Sequence, residues 1–339
     1  MSSLLQEMFL RFGNAFKPSR VEQADGHPSC SGTLAQAVEY VVDETYSRLR
    51  FLPGYAKRLQ GPVAETFRYI DELVEAVPGP ILCSRSAFAV DPRVNAFFAD
   101  PRHLQEVFSQ SKEVRELFDA DPGAKECWAL LCMRKMEHRQ LGMSLVGDLL
   151  RKDVMQTTVS FVDHQILSPG SSEAEARRSL KCCVFNSMLS HIRKRESEER
   201  IRVIELEDRR SSLSSRLHRG VHETSDESLA SLKRTIEEIG KELAREIPRL
   251  ASPEYHFELV SDVLGNPDRH VSGSLGSIHL SRLGIKLDDD SRDGADDIPL
   301  YEIQVASQGA RVGALVRFPR AELLPRKDFV QKADLFLAL

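Results

Sequence analysis

Six cysteines, ten histidines and several acidic clusters are the residues of this chain with chemistry to offer, and their spacing limits what they can do. Cys127 and Cys132 are too far out of phase to share a zinc ion on a helix, where 3.6 residues per turn would set their sulfurs about 140° apart. Cys182-Cys183 is a vicinal pair and lacks the Cys-x-x-Cys spacing of a structural zinc site. His218 and His222 keep the step of a helical metal pair, but Gly220 between them marks an ordinary polar turn. The acidic run Asp288-Asp289-Asp290-Ser291-Arg292-Asp293-Gly294 opens like a calcium loop, yet Leu300 stands where the bidentate glutamate is needed, so a solvated hairpin loop is expected. No phosphate-cradling glycine loop and no Gly-x-Ser-x-Gly elbow occurs. Asp163-His164 could orient an imidazole, and Asp148 with Asp153 could work as paired carboxylates, each only with a partner supplied by the fold. The expectation is no enzyme, no metal and no cofactor.

A different constellation lies toward the C-terminus. Arg245-Glu246-Ile247-Pro248-Arg249 spells Arg-x-x-x-Arg, and His279-Leu280-Ser281-Arg282-Leu283-Gly284 spells x-x-Ser-x-x-Gly ahead of the alternating Ile285 and Leu287. In that order, before a β region, these residues resemble the PilZ domain, a receptor for the bacterial messenger cyclic di-GMP. That family has Asp or Asn two residues before the serine, where this chain has His279. The resemblance implies a six-stranded barrel over roughly the last 95 residues, Arg245 and Arg249 gripping the nucleotide, and Ser281 and Gly284 forming its platform. Guanidinium pairs suit such a ligand because they bind phosphate bidentately and stack on guanine faces.

These residues need elements to hold them. Leu4, Leu5, Met8, Phe9, Phe12 and Phe16 share one face of a short amphipathic helix over 3–16, and the polar stretch 19–32 reads as a linker. Few basic residues surround that helix, so membrane contact is not expected of it. From Thr33 onward apolar stripes step by three and four: Leu34, Val38, Val41 and Val42, then Val63, Phe67, Ile70, Leu73 and Val74. Asp91-Pro92, Asp100-Pro101 and Asp121-Pro122 each offer a capping carboxylate before a first-turn proline, predicting short helices over 92–99, 101–109 and 122–138, with another near 111–118. Residues 142–167 fit both a strand (Val159 and Phe161) and a helical face (Val154, Thr158, Phe161); a helix is expected. Ser172 with Glu175 starts the longest helical stretch, and Thr224 with Glu227 restarts it after Gly220. Leu229, Leu232, Ile236, Ile239, Leu243 and Ile247 then step as a coiled-coil seam that Pro248 should stop. Beyond it, runs at 277–280, 284–287, 301–305 and 312–318 alternate as strands, with Gly309 at a hairpin loop and a short helix over 326–337 closing the chain.

The fold class expected is therefore α+β. A segment 1–32 precedes a helical domain over 33–170, a long helical hairpin or coiled coil over 172–247, and a small antiparallel barrel-like β domain over 249–339. An apolar share of 41% can build real cores, and a net charge of −5 announces no nucleic-acid partner. No apolar run is long enough to span a bilayer, no secretory leader is recognised, and the scattered cysteines read as reduced thiols, so a cytoplasmic location is expected. Charged helices with an apolar seam hold partners or pair with copies of themselves. The expected function is a non-enzymatic scaffold or regulatory adaptor that self-associates or binds a protein through 180–247. The alternative is a cyclic-di-GMP sensor reporting through the helices.

Overall fold

A computed structural model describes residues 33–146, 149–220, 226–287, 295–305 and 309–326. The helix expected over 3–16 and the acidic run Asp288–Gly294 lie outside these residues, as does the terminal helix apart from Arg326. Helix α1 (Leu34–Glu44) starts on a capping box in which Thr33 and Gln36 satisfy each other's backbone N–H groups. Its buried Val38, Val41 and Val42 pack with Val63, Ile70 and Val74 of α2 (Tyr55–Glu75). After strand β1 (Ile81–Leu82) come four short helices, α3 (Arg85–Val90), α4 (Pro92–Phe97), α5 (Pro101–Gln110) and α6 (Lys112–Ala120). Asp91 caps α4 through Arg93 N at 2.9 Å, and Asp100 caps α5 through His103 N at 2.8 Å, as the Asp-Pro spacing predicts.

The third Asp-Pro pair behaves differently. Asp121 accepts from Gly123 N at 2.9 Å in a turn, and the chain then enters strand β2 (Glu126–Val146) instead of a helix. Strand β3 (Leu149–Gly170) pairs back on it, so 122–138 and 142–167 are corrected from helix to a long antiparallel hairpin, and 33–170 is not helical throughout. Cys127, Ala129, Leu131 and Met133 enter one core while Leu130 and Cys132 enter the other. A strand buried on both faces reads as a continuous apolar run, which periodicity cannot separate from a buried helix.

Strands β4 (Val271–Leu280), β5 (Ile285–Lys286), β6 (Asp296–Val305) and β7 (Gly309–Pro319) complete the sheet. Its order is β1-β7-β2-β3-β5-β4-β6, and β6 also pairs with β7, so the antiparallel pairings run in a ring of six strands. Only β1, on the β7 edge past the end of β6, is parallel. Gly309 turns the β6–β7 hairpin at φ +78°, as expected. The sheet is thus antiparallel and the fold α+β, but its strands come from 81–170 as well as from 271–319. A β unit confined to 249–339 is therefore corrected as well.

Helix α7 (Glu173–Gly220) starts where Ser172 Oγ accepts from Glu175 N at 3.3 Å; the Glu175 carboxylate accepts from Ser171 N. Its first half buries Ala176, Leu180, Phe185, Met188 and Ile192 in the core shared with α1 and α2. Helix α8 (Asp226–Ala251) returns antiparallel to it, as the ion pairs Arg202–Glu242 and Arg249–Glu199 require. Pro248 lies inside the last turn of α8 and does not end it. The break comes at Ser252, before Pro253 opens α9 (Pro253–Gly265). Phe97, Phe108 and Phe118 of the short helices fill the second core, on the other face of the sheet.

Candidate functional site

The α7–α8 hairpin leaves the body as an arm. On α7, Val203, Leu206, Leu213 and Leu217 follow the seam, with Arg210 at the step between Leu206 and Leu213; Leu229, Leu232, Ile236, Ile239 and Leu243 step by three and four on α8. Ile239 and Leu243 are buried, whereas Ile247, expected in the seam, is exposed and Glu246 takes its place. Helix α7 alone is roughly 70 Å long at 1.5 Å per residue, and the part beyond Glu199 contributes about 30 Å. The seam is covered within the chain, so the heptad stepping does not by itself call for a second copy.

At the base of the arm the seam turns polar. Glu196 and Glu199 occupy seam steps on α7, and Glu246 continues the seam on α8. Arg249 holds the last two together: its Nε donates to Glu246 at 2.7 Å and its Nη2 to Glu199 at 2.9 Å, while the guanidinium lies 4.4 Å from the Tyr255 ring centre. Burial would raise the Glu246 carboxyl, but the hydrogen bonds from Arg245 and Arg249 outweigh it and hold the pKa below the ordinary glutamate value. Below this layer the buried His256 ring stacks on Tyr46 at 3.7 Å, donates from Nε2 to the Leu250 carbonyl at 2.9 Å, and stands 3.8 Å from Glu196. The glutamates carry no apolar signal; what marks them in the sequence is an acidic residue at each continuing seam step.

The four residues singled out for nucleotide binding fall in two places. Arg245 donates from Nε to Glu246 at 3.0 Å and is otherwise 74% exposed, so it shares a carboxylate with Arg249. Ser281 and Gly284 form one tight turn between β4 and β5: Gly284 N donates to the Ser281 carbonyl at 2.8 Å, and Ser281 Oγ accepts from Ile285 N at 3.2 Å. Gly284 sits at φ +73°, and its carbonyl accepts from Val159 N at 2.8 Å. The arginines are thus held by the helices, and the turn is held by the sheet.

Of the remaining candidates, Asp148 of the carboxylate pair Asp148–Asp153 lies outside the described residues. Cys127 and Cys132 lie on β2, where burial pushes both thiols up to about 12, and burial lifts Cys183 to about 11, leaving little thiolate for nucleophilic work. Cys182 is disulfide-bonded, against the expectation of six reduced thiols. Asp163 pairs with Arg134 at 2.7 Å and does not orient His164, whose Nε2 donates to the Phe97 carbonyl at 2.7 Å while its ring stacks on Phe98. His218 Nδ1 donates to the Ser214 carbonyl on α7, and His222 lies outside the described residues. No group of three metal-ligating side chains occurs among the described residues. No helix of those residues is long and apolar enough to cross a membrane. No known protein family, curated protein or solved structure matches the chain.

Proposed function

We propose that the protein is a non-enzymatic adaptor acting through protein contacts of its long helices, with the α7–α8 arm as the element it presents. One observation carries this reading: α7 is continuous from the core, where Phe185 and Ile192 are buried, to the exposed end of the arm. A rigid rod anchored at one end and free along its other faces holds a contact surface at a fixed distance from the body. A non-catalytic role and a cytoplasmic location are part of this proposal; the raised pKa values of the buried thiols fit the first. A photo-crosslinking residue at Arg210 or Glu238 should give discrete adducts with a protein, and one at Lys112 on the opposite side should not. Equal labelling from Lys112, or none from the arm, sinks the adaptor.

The cyclic-di-GMP sensor is the second reading, favoured by the exposed Arg245 guanidinium and the tight Ser281–Gly284 turn. It needs Arg249 to exchange two carboxylates for phosphate. Calorimetry decides: heat of binding that Arg249→Ala abolishes supports the sensor, and no heat at tens of micromolar removes it.

A further inference from the structure

The cysteines differ in oxidation state. Cys83, Cys127, Cys132 and Cys183 are free thiols, whereas Cys182 is disulfide-bonded. The chain holds six cysteines, so the one sulfur left within it to pair with Cys182 is that of Cys30, which lies outside the described residues.

Helix packing puts Cys182 where Cys30 can reach it. At 100° per residue Cys182, Asn186, Leu189 and Arg193 share a sector of about 60° on α7. That sector faces α1. Tyr40 Oη donates to Asn186 Oδ1 at 3.0 Å, Arg193 pairs with Glu44 at 2.6 Å, and Leu189 is buried in one core with Val38 and Val41. The two polar pairs ascend together along both helices, so α1 runs parallel to α7. Its start at Thr33 therefore lies near the level of Cys182, one turn before Asn186. Cys30 precedes Thr33 by three residues, and an extended chain of that length reaches about 10 Å, enough to bring the two Cα atoms within the roughly 4–7 Å a disulfide requires. The neighbouring positions on α7 face elsewhere: Lys181 pairs with Asp71 and Glu75 of α2, and Cys183 turns to Ser168 of β3.

We infer that Cys30 and Cys182 form a redox-sensitive clasp that fastens the start of α1 to the anchored half of α7. Closed, it completes a long loop through α1, α2, the short helices and the β2–β3 hairpin, and such closure stabilises the fold by restricting the unfolded chain. It also fixes the point from which residues 1–29 leave the body and, because α7 continues into the arm, stiffens the arm's root. Cys182 is half-buried, so a dithiol reductant can reach its sulfur in the folded chain. The first thiolate of the reductant forms a mixed disulfide with one cysteine and releases the other as a thiolate, which takes up a proton. Its second thiolate displaces the remaining cysteine, and the reductant leaves as a disulfide. In a reducing compartment the clasp is open at rest and closes on oxidation.

Peptide mapping without reduction tests the pairing on the full chain equilibrated with oxidised glutathione. One linked peptide pair carrying Cys30 and Cys182 is expected. The urea midpoint of this oxidised chain should exceed that of the dithiothreitol-reduced chain by roughly 1 M. Hydrogen exchange should show α1 losing protection on reduction while β2 and β7 keep theirs. Cys30→Ser and Cys182→Ser should each abolish the difference between the two redox states, whereas Cys83→Ala, in the other core, should retain it. Linkage of Cys182 to any other cysteine, or six free thiols after oxidation, overturns the inference. A bond that dithiothreitol opens only after the chain is unfolded in urea overturns it too, as do equal midpoints in the two redox states.

Discussion

Arg249 is the residue on which the two functional readings make opposite demands. Its guanidinium joins Glu199 of α7 to Glu246 of α8 and covers Tyr255, so in the folded chain it neutralises two carboxylates that the seam brings together. Arg249→Ala should lower stability by about 1–2 kcal/mol, between the cost of breaking an exposed pair and that of a fully buried one. Urea unfolding measures it, and Arg249→Met, which keeps most of the packing, should recover less than Arg249→Lys, which keeps the charge. The Arg-x-x-x-Arg spacing was legible in the sequence, but the groups it would bind were not, because Glu199 lies on another helix and reaches Arg249 only through the hairpin. His191 and His270 show a second effect invisible in sequence: their rings meet 5.0 Å apart where α7 crosses the start of β4. Burial lowers the pKa of His191, with His270, Arg195 and Lys194 adding to it against Glu198. Burial also lowers His270, with Arg195 and Arg269 acting against Asp262 and Asp268. An unfolded chain protonates both near the ordinary value of about 6.5, whereas the folded one resists. Their contribution is thus fully present above that pH and is lost as pH falls below it. The urea midpoint should drop between about pH 7.5 and 5.5, and His270→Gln should flatten the drop. A midpoint that does not change across this window would show that the pair carries no such linkage.

At the scale of elements, what the sequence shows clearly is whatever is decided within a few residues. Asp91 with Pro92, and Ser172 followed by Glu175, are capping contacts closed inside one turn, and each begins a helix where its spacing predicts; Thr33 with Gln36 is a third such local contact. The step from Leu229 to Leu243 is likewise local, so the helix and its apolar face follow from it. Which surface covers that face is decided elsewhere: Val203, Leu206, Leu213 and Leu217 return across the hairpin and use the seam up inside the chain. Leu243→Ala should therefore loosen the arm directly, at roughly 2–4 kcal/mol for a buried leucine truncated in a closed seam. Hydrogen exchange locates the loss: amides over 199–220 and 229–246 should exchange faster while those of α1 and α2 keep their protection. Protection lost equally in α1 would mean that arm and body melt as one unit. Strands β2 and β3 mark the opposite case. Over Cys127–Met133 β2 is buried on both faces, β3 alternates at Val159 and Phe161 yet fits a helical face as well, and the further partners that make them strands, β7 and β5, lie far along the chain.

At the scale of the whole molecule, the helical arm and the sheet depend on one another through chain crossing. Strand β7 pairs with β2 over eight positions from Glu126 to Met133 and with β1 at Ile81 and Leu82, so the centre of the sheet joins segments nearly two hundred residues apart. Helix α7 leaves β3 at once and lies on the same core that receives Leu130, Cys132 and Leu315. That core also takes Val260 and Val263 of α9, the helix that α8 leads into, and thereby ties the base of the arm to the sheet. Such long-range pairing is costly to close, and a fragment lacking one side of it cannot bury its apolar face. The texture change after Pro248 is real in sequence, yet it marks a change of element and no boundary of folding. A fragment spanning 249–339 carries β4 to β7 but neither β2 nor β3, which leaves Ile278, Leu300, Val316 and Phe318 without the strands and phenylalanines that cover them. Expressed alone it should show the poor amide dispersion and early, non-cooperative melt of a chain without a closed core. Addition of a second fragment spanning 33–248 should restore both. A cooperative melt from 249–339 by itself would show that the C-terminal strands find another closure. The ring through β2 and β3 would then be unnecessary to their stability, and the arm's base would have to be held by α9 alone.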